Sequence, residues 1–284
     1  ISLDDSFFDL GGDSLLAISL CIKINNIFDT QISIKDILEN PVIQSISDKI
    51  EYFQSENSVN YKIVSIPEAD FYPTSFAQKR MYYSSQVGGP NSILYNSPGG
   101  ILIDGNIDKS KLEICIKTLI DRHESLRTYF EIQNNELVQI IDKNIDFKLD
   151  IAENIAFEDL DSVFDDFVKP FDLNKAPLFR AKLLHFTNGK SALLIDMHHI
   201  ISDGGSINIF NKELAELYNG ETLSDIGITY KDFAVFENNR LKNGLLNDAE
   251  NYWLNQFEEE IPVLELPTTF DRPSIQSFDG KLFT

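Results

Sequence analysis

The sequence predicts two folds in tandem: an all-α helix bundle over residues 1–53, then a mixed α/β (α+β sandwich) domain over residues 70–284, with residues 54–69 as a linker. Three observations carry this. Apolar side chains in the first stretch recur at helical spacing. Beyond Pro73 the pattern changes to alternating strands and helices, as in a layered sheet-and-helix domain. Between the two, "QSENSVNYK" at 54–62 is polar and has no period.

In chain order, Gly11 and Gly12 turn the backbone ahead of Asp13 and Ser14, either of which can cap the helix that follows. That helix runs from Ser14 to Phe28. Leu16, Leu20, Ile24 and Ile27 form one stripe on it, and Leu15, Ile18 and Ile22 form a second, so it is expected to meet neighbours on more than one side. Ser33, with Asp36 three residues on, caps a short helix. Asn40-Pro41 starts another that carries Val42, Ile46, Ile50 and Phe53. In the second part, "GILID" at 100–104 alternates and ends at a Gly105-Asn106 turn. Asp108 then caps a helix with Leu112, Cys115, Leu119 and His123 on one stripe. Residues 126–141 read as a hairpin about Asn134-Asn135, and 179–198 as another about Asn188-Gly189. Between them lies an acidic amphipathic helix stopped by Pro170. A helix from Ser206 to Tyr218 ends at Gly220, and a further helical stretch surrounds Trp253.

Composition narrows the function. At 284 residues and 43% hydrophobic, the chain suits one or two globular domains. A formal charge of −21 argues against a nucleic-acid backbone or an anionic membrane as partner, because both are polyanions. There is no apolar run of membrane-spanning length and no signal-peptide pattern at the start. Cys21 and Cys115 each fall in a helical apolar pattern, which reads as buried thiols in a reducing, cytoplasmic setting rather than as a disulfide or metal pair. The chain does not open with methionine, so residue 1 need not be a natural start.

Two constellations carry chemistry. Ser14 stands where a loop becomes a helix, and the free N–H groups and dipole of a helix N-terminus favour a phosphate. It is therefore either a cap or an attachment point. In "MHHIISDGGS", at 197–206, His198 and His199 are neighbours on extended chain, so their side chains point to opposite sides. One works and the other props, unless the pair is structural. Neither this pair nor His123 and His185 gives a zinc spacing, and no metal is expected.

The stretch "DDSFFDLGGDSLLAI" resembles the phosphopantetheine attachment motif of nonribosomal peptide synthetase carrier domains. "HHIISDG" resembles the H-H-x-x-x-D-G motif of condensation domains, and "SFAQKRMYY", "RHESLRTYF" and "YKDFAVF" resemble three further motifs of that family in order, with Phe236 where a tryptophan is usual. The resemblance implies a partial peptidyl carrier domain followed by the N-terminal lobe of a chloramphenicol-acetyltransferase-like condensation domain. It also implies 4'-phosphopantetheine on Ser14, with Asp13 at the cofactor site, making the chain a phosphoprotein of secondary-metabolite biosynthesis. The arm at Ser14 is expected to carry a thioester, as donor, to an amine on a downstream carrier. His199 is implied as general base or orienting group, with His198 behind it and Gly204 giving backbone access. Asp203 is expected to hold the loop through an ion pair with Arg122 or Arg127, and His123 is structural. Implied partners are a phosphopantetheinyl transferase, the adenylation and downstream carrier domains of the same synthetase, and aminoacyl or peptidyl thioesters. "S-x-A-Q-x-R" and "YNSP" lean to the subtype joining two L-residues. In that family the carrier has an earlier helix and the condensation domain a second lobe, so these 284 residues alone are expected to be inactive. Two alternatives stay open: a loadable carrier or docking protein without catalysis, and a free-standing acyltransferase that uses coenzyme A or a carrier.

Overall fold

The computed structural model describes residues 2–28, 30–55, 63–89, 91–105, 107–259, 261, 267, 270 and 271. Residues 56–62 of the expected linker, and Asn106 of the expected turn, lie outside the described residues. The chain divides into two compact units, residues 1–62 and 63–284.

The first unit holds α1 (Ser14–Phe28), α2 (Ile34–Glu39) and α3 (Ile43–Ser55). Ser33 and Asp36 form a reciprocal capping box at α2, as their spacing predicts. The core consists of Ala17, Cys21, Ile24, Ile32 and Ile37, with Phe7, Leu20, Ile46, Ile50 and Phe53 packed on it. This corrects the expected two-sided α1. Its buried stripe is 17, 21 and 24, whereas Leu15 is 76% exposed and Leu16, Ile18, Ile22 and Ile27 also face outward. Ala17 and Cys21 are small, so the helix approaches its neighbours closely along them. The Cys21 thiol donates to the Ile32 carbonyl at 2.8 Å, and burial pushes its pKa up.

The second unit runs β1 (Tyr72–Pro73), α4 (Phe76–Val87), β2 (Asn96–Ile103), α5 (Lys109–Arg122), β3 (Thr128–Gln133), β4 (Glu136–Ile141), β5 (Asp150–Ile155), α6 (Leu160–Phe167), β6 (Phe179–Phe186), β7 (Ser191–His198), α7 (Gly204–Tyr218), α8 (Tyr230–Lys242) and α9 (Asn247–Gln256). Both hairpins form as predicted. Asn134 and Asn135 take positive φ at the first turn, and Gly189 does so at the second. The main sheet has the order β2-β7-β6-β5, antiparallel except for β5, which runs parallel to β6. A register break between Ala152 and Ile155 contains Asn154, whose φ is 58°.

Every residue of β7 is buried, because the sheet is covered on both faces. Leu193, Ile195 and Met197 join the core built on α5 and α7, while Ala192 and Leu194 pack with Phe167 beneath α6. The predicted helices are close to those observed, with α7 starting two residues earlier at Gly204 and α6 ending before Pro170. A second sheet, β1-β4-β3, stands apart from the first. The chain leaves β7 at His198, the end where β2 begins at Asn96. Among the described residues, no helix is long and apolar enough to cross a membrane.

Candidate functional site

In the first unit the loop before α1 is built to present a serine. Gly11 has φ +92°, and a Cβ on Gly12 would lie 2.3 Å from the Phe7 ring, so both positions call for glycine. The loop is tied down by Phe7 N–H donating to the Pro41 carbonyl at 2.8 Å and by a bridge between Ser6 and Val42. The cap is Asp13. Its Oδ1 accepts from the Leu16 N–H at 2.8 Å and its carbonyl from Ala17 N–H at 2.8 Å. Ser14 is thus the first residue inside the helix. It is exposed, and its hydroxyl makes no hydrogen bond to another described residue. Capping falls to Asp13 alone, which leaves Ser14 available for attachment and spends the Asp13 carboxylate on the backbone.

In the second unit the two histidines diverge as strand alternation requires. His198 is 5% exposed, packed by the rings of Tyr95 and Phe171. Its Nδ1 accepts from the Ile200 N–H at 3.1 Å, and burial, helped by the neighbouring His199, pushes its pKa down to about 4. His199 is half-buried, with its backbone N–H donating to the Tyr95 carbonyl at 2.7 Å. Its Nδ1 lies 2.6 Å from the Ser202 carbonyl, which can only accept. The proton of the neutral ring is therefore on Nδ1, and the Nε2 lone pair is left for chemistry.

His199 lines a cavity of about 310 Å³ with Asp203, Gln139, Glu124, Lys231 and Tyr230. Three of the quoted segments meet there. Gln78 of α4 caps its own helix through Oε1, accepting from Ser75 N–H, while Gln139 of β4 donates to the Pro73 carbonyl at 2.8 Å. Lys231 of α8, 8% exposed, pairs with Glu124. Asp232, also buried, accepts from the N–H of Thr229 and, at 2.9 Å, from that of Ile66, so α8 holds the segment that leads into β1. None of these polar residues was singled out from the sequence. For Gln78, Glu124, Lys231 and Asp232 the signal was their place inside segments that resemble the family motifs, not any hydrophobic period; Gln139, on β4, lies outside those segments.

The expected ion pair of Asp203 is not formed. Asp203 is the N-cap of α7, with Oδ1 accepting from Ser206 N–H at 2.8 Å and from its hydroxyl at 2.7 Å, and these bonds hold its carboxyl below the usual range. A local cap satisfies this carboxylate without a distant partner. Arg122 instead reaches Glu213 of α7, Nε to Oε2 at 3.1 Å, beside His123, whose Nε2 is 2.6 Å from the same oxygen. Arg127 donates to the carbonyls of Asp142 and Asp121. Arg122 thus anchors α7 rather than the loop, and Arg127 anchors the turn before β3. Gly204 and Gly205 form the first turn of α7; a Cβ on Gly204 would meet nothing within 4 Å. Among the described residues, no cluster of three or more His, Cys, Asp or Glu side chains could hold a metal ion.

Comparison with known proteins matches a family to each part of the chain. The phosphopantetheine attachment site family matches residues 1–50, and the condensation domain family matches residues 68–284. Gramicidin S synthase 2 of Aneurinibacillus migulanus is 42% identical over 286 residues, covering 100% of this chain and 6% of that protein. Surfactin synthase subunit 2 of Bacillus subtilis is 41% identical over 280 residues, covering 98% of this chain and 8% of its own length. The chain thus spans less than a tenth of these relatives. Among solved structures, the X-domain from teicoplanin biosynthesis bound to OxyB superposes with a TM-score of 0.67 at 22% identity, over 75% of this chain and 49% of that one. The starter condensation domain of rhizomide synthetase gives 0.59 at 22% identity, over 66% and 48%. These likenesses show the fold. With a free serine at the head of α1 and His199 at the mouth of β7, the chain belongs to the condensation domain family of nonribosomal peptide synthetases, joined behind a phosphopantetheine attachment domain.

Proposed function

We propose that the second unit catalyses amide formation, in which an amine displaces a thiol from a thioester, and that the first unit carries the donor thioester. The observation that carries this is His199, with Nδ1–H fixed on the Ser202 carbonyl and Nε2 free at the cavity. Phosphopantetheine on Ser14 supplies the thiol that holds the acyl group. The exposed hydroxyl, free of capping duty, and the glycine-dependent loop fit that attachment.

The chain's own residues do the rest. Nε2 of His199 accepts a hydrogen bond from the amine and orients its lone pair, or takes its proton as the new bond forms. An α-amine with a reference pKa of about 7.7–8.0 is already partly neutral near pH 7, so orientation alone would contribute. His198, neutral and packed, props the loop. The order of units, carrier before condensation, makes Ser14 the donor side. We further infer that the segment works in the cytoplasm within a longer synthetase. There a phosphopantetheinyl transferase loads Ser14, adenylation and downstream carrier domains supply the thioesters, and the product is a secondary metabolite. The "YNSP" segment supports joining of two L-residues, and the 284 residues alone are expected to be inactive.

His199→Ala in the parent synthetase tests this. Single-turnover dipeptide formation is expected to fall by about 10²–10⁴-fold if the ring transfers a proton, and by less if it only positions the amine. Melting should stay near the parent's. Unchanged dipeptide formation would remove His199 from the mechanism.

A further inference from the structure

Proton transfer through His199 leaves one requirement of acyl transfer unmet: a donor for the carbonyl oxygen that becomes negative. Hydrogen-bond accounting at Ser75 supplies a candidate. Ser75 is 0% exposed and caps α4, with its Oγ accepting from Gln78 N–H at 3.1 Å. The same Oγ lies 2.9 Å from the Tyr230 hydroxyl. Among the described residues, Tyr230 is the acceptor within reach of the Ser75 proton, and a buried hydroxyl proton with no acceptor is costly. Ser75 therefore donates to Tyr230. The Tyr230 proton is then not spent on any described residue, and Tyr230 is among the residues that line the His199 cavity. Burial raises the phenol pKa, and the carboxylates of Glu237 and Asp203 add to this against the bond from Ser75, so the group keeps its proton at neutral pH.

We propose that Tyr230 is a second catalytic residue of this cavity, whose hydroxyl, oriented by Ser75, donates a hydrogen bond to the thioester carbonyl oxygen in the tetrahedral state. The inference rests on the amide-forming reading above. As the amine nitrogen bonds to the carbonyl carbon, the π pair moves onto oxygen and meets the Tyr230 O–H. Return of that pair re-forms the C=O and breaks the C–S bond. The proton lost by the amine passes through His199 to the departing thiolate, and Tyr230 retains its own throughout.

The test is single-turnover amide formation by the synthetase that carries this segment, with melting followed in parallel. Tyr230→Phe keeps the ring and is expected to lower the rate about 10²-fold with KM for the thioesters unchanged. Ser75→Ala leaves the phenol its proton but frees its orientation, and a smaller loss of about fivefold is expected. Should Tyr230→Phe melt early, Tyr230→3,5-difluorotyrosine keeps shape and bonding and acidifies the phenol, so the alkaline limb of the rate profile should move to lower pH. A Tyr230→Phe enzyme as fast as the parent, beside a slowed His199→Ala, overturns the assignment and leaves the amide-forming reading standing; so does an alkaline limb that stays in place. A parent that forms no amide overturns both.

Discussion

His198 and His199 are adjacent on the chain and opposite in chemistry, because strand alternation sends one ring into the core and the other to the cavity. The buried ring makes a prediction about acid stability. The unfolded chain protonates His198 near its ordinary pKa of 6.5, while the folded chain does so at about 4. Between those values the unfolded state binds more protons, so stability rises with pH. About 3 kcal/mol present above pH 6.5 is lost as the pH falls toward 4. Asp196, two residues back on β7, titrates in the opposite sense, since burial raises its carboxyl, so parent and variant must be compared rather than one curve read alone. Asp203 is held low and loses its contribution only at more acid pH. His198→Asn keeps an acceptor for the Ile200 N–H and removes the titration. Urea unfolding from about pH 4 to 6.5 should give it a flatter stability curve; a slope as steep as the parent's would place the titrating group elsewhere.

Helix α7 starts immediately after the histidine loop, and its cap decides how firmly that loop is held. Because the Asp203 carboxylate serves as a local cap on Ser206, Asp203→Ala is expected to cost about 1 kcal/mol, and Asp203→Ser to regain most of it. A loss of about 3–5 kcal/mol in denaturant unfolding would instead mark a broken buried ion pair. The sequence held the cap in plain view, since Asp with Ser three residues on is a local signal, yet family resemblance drew the carboxylate toward an arginine. Elements with an apolar period or a turn signature were equally legible. The capping box at Ser33, the Asn134-Asn135 turn and the hairpin of β6 and β7 about Asn188-Gly189 all form where expected. Helices α4 and α8 were not read as helices, and the reason is physical. α4 buries Gln78 and Tyr82, and α8 buries Lys231, Asp232 and Ala234, so their inward faces are largely polar and satisfied by hydrogen bonds. Hydrophobic periodicity cannot see such a face, and Tyr230, at the start of α8, was missed with it. β5 was missed for a related reason, being short, acidic and mostly exposed. On α1 the error ran the other way: Cys21, read as a buried thiol, and Ile24 are buried as expected, but the large Leu15, Leu16, Ile18, Ile22 and Ile27 face outward and the small Ala17 was overlooked.

At the scale of the molecule, the two units differ in how much each buries. Among the described residues the first rests on five buried apolar side chains, Ala17, Cys21, Ile24, Ile32 and Ile37, while several large apolar groups of α1 remain in water. The second has a sheet covered on both faces, with Leu183, Leu193 and Leu194 almost wholly excluded from solvent. Burial of apolar area is the main favourable term in folding, and a unit of about 50 residues excludes a smaller share of its surface than one several times longer. Local opening should therefore be easier in the first unit, since the amides of α1 and α3 are backed by few excluded side chains. Native-state hydrogen exchange is expected to show α1–α3 exchanging at rates set by low-energy opening, and β6 and β7 exchanging only near the global limit of their own unit. The charge of −21 adds self-repulsion that salt screens, so added salt should slow exchange in both units without reversing their order. Equal and strong protection of α1 and β7 would mean that the small core is worth more than its area implies.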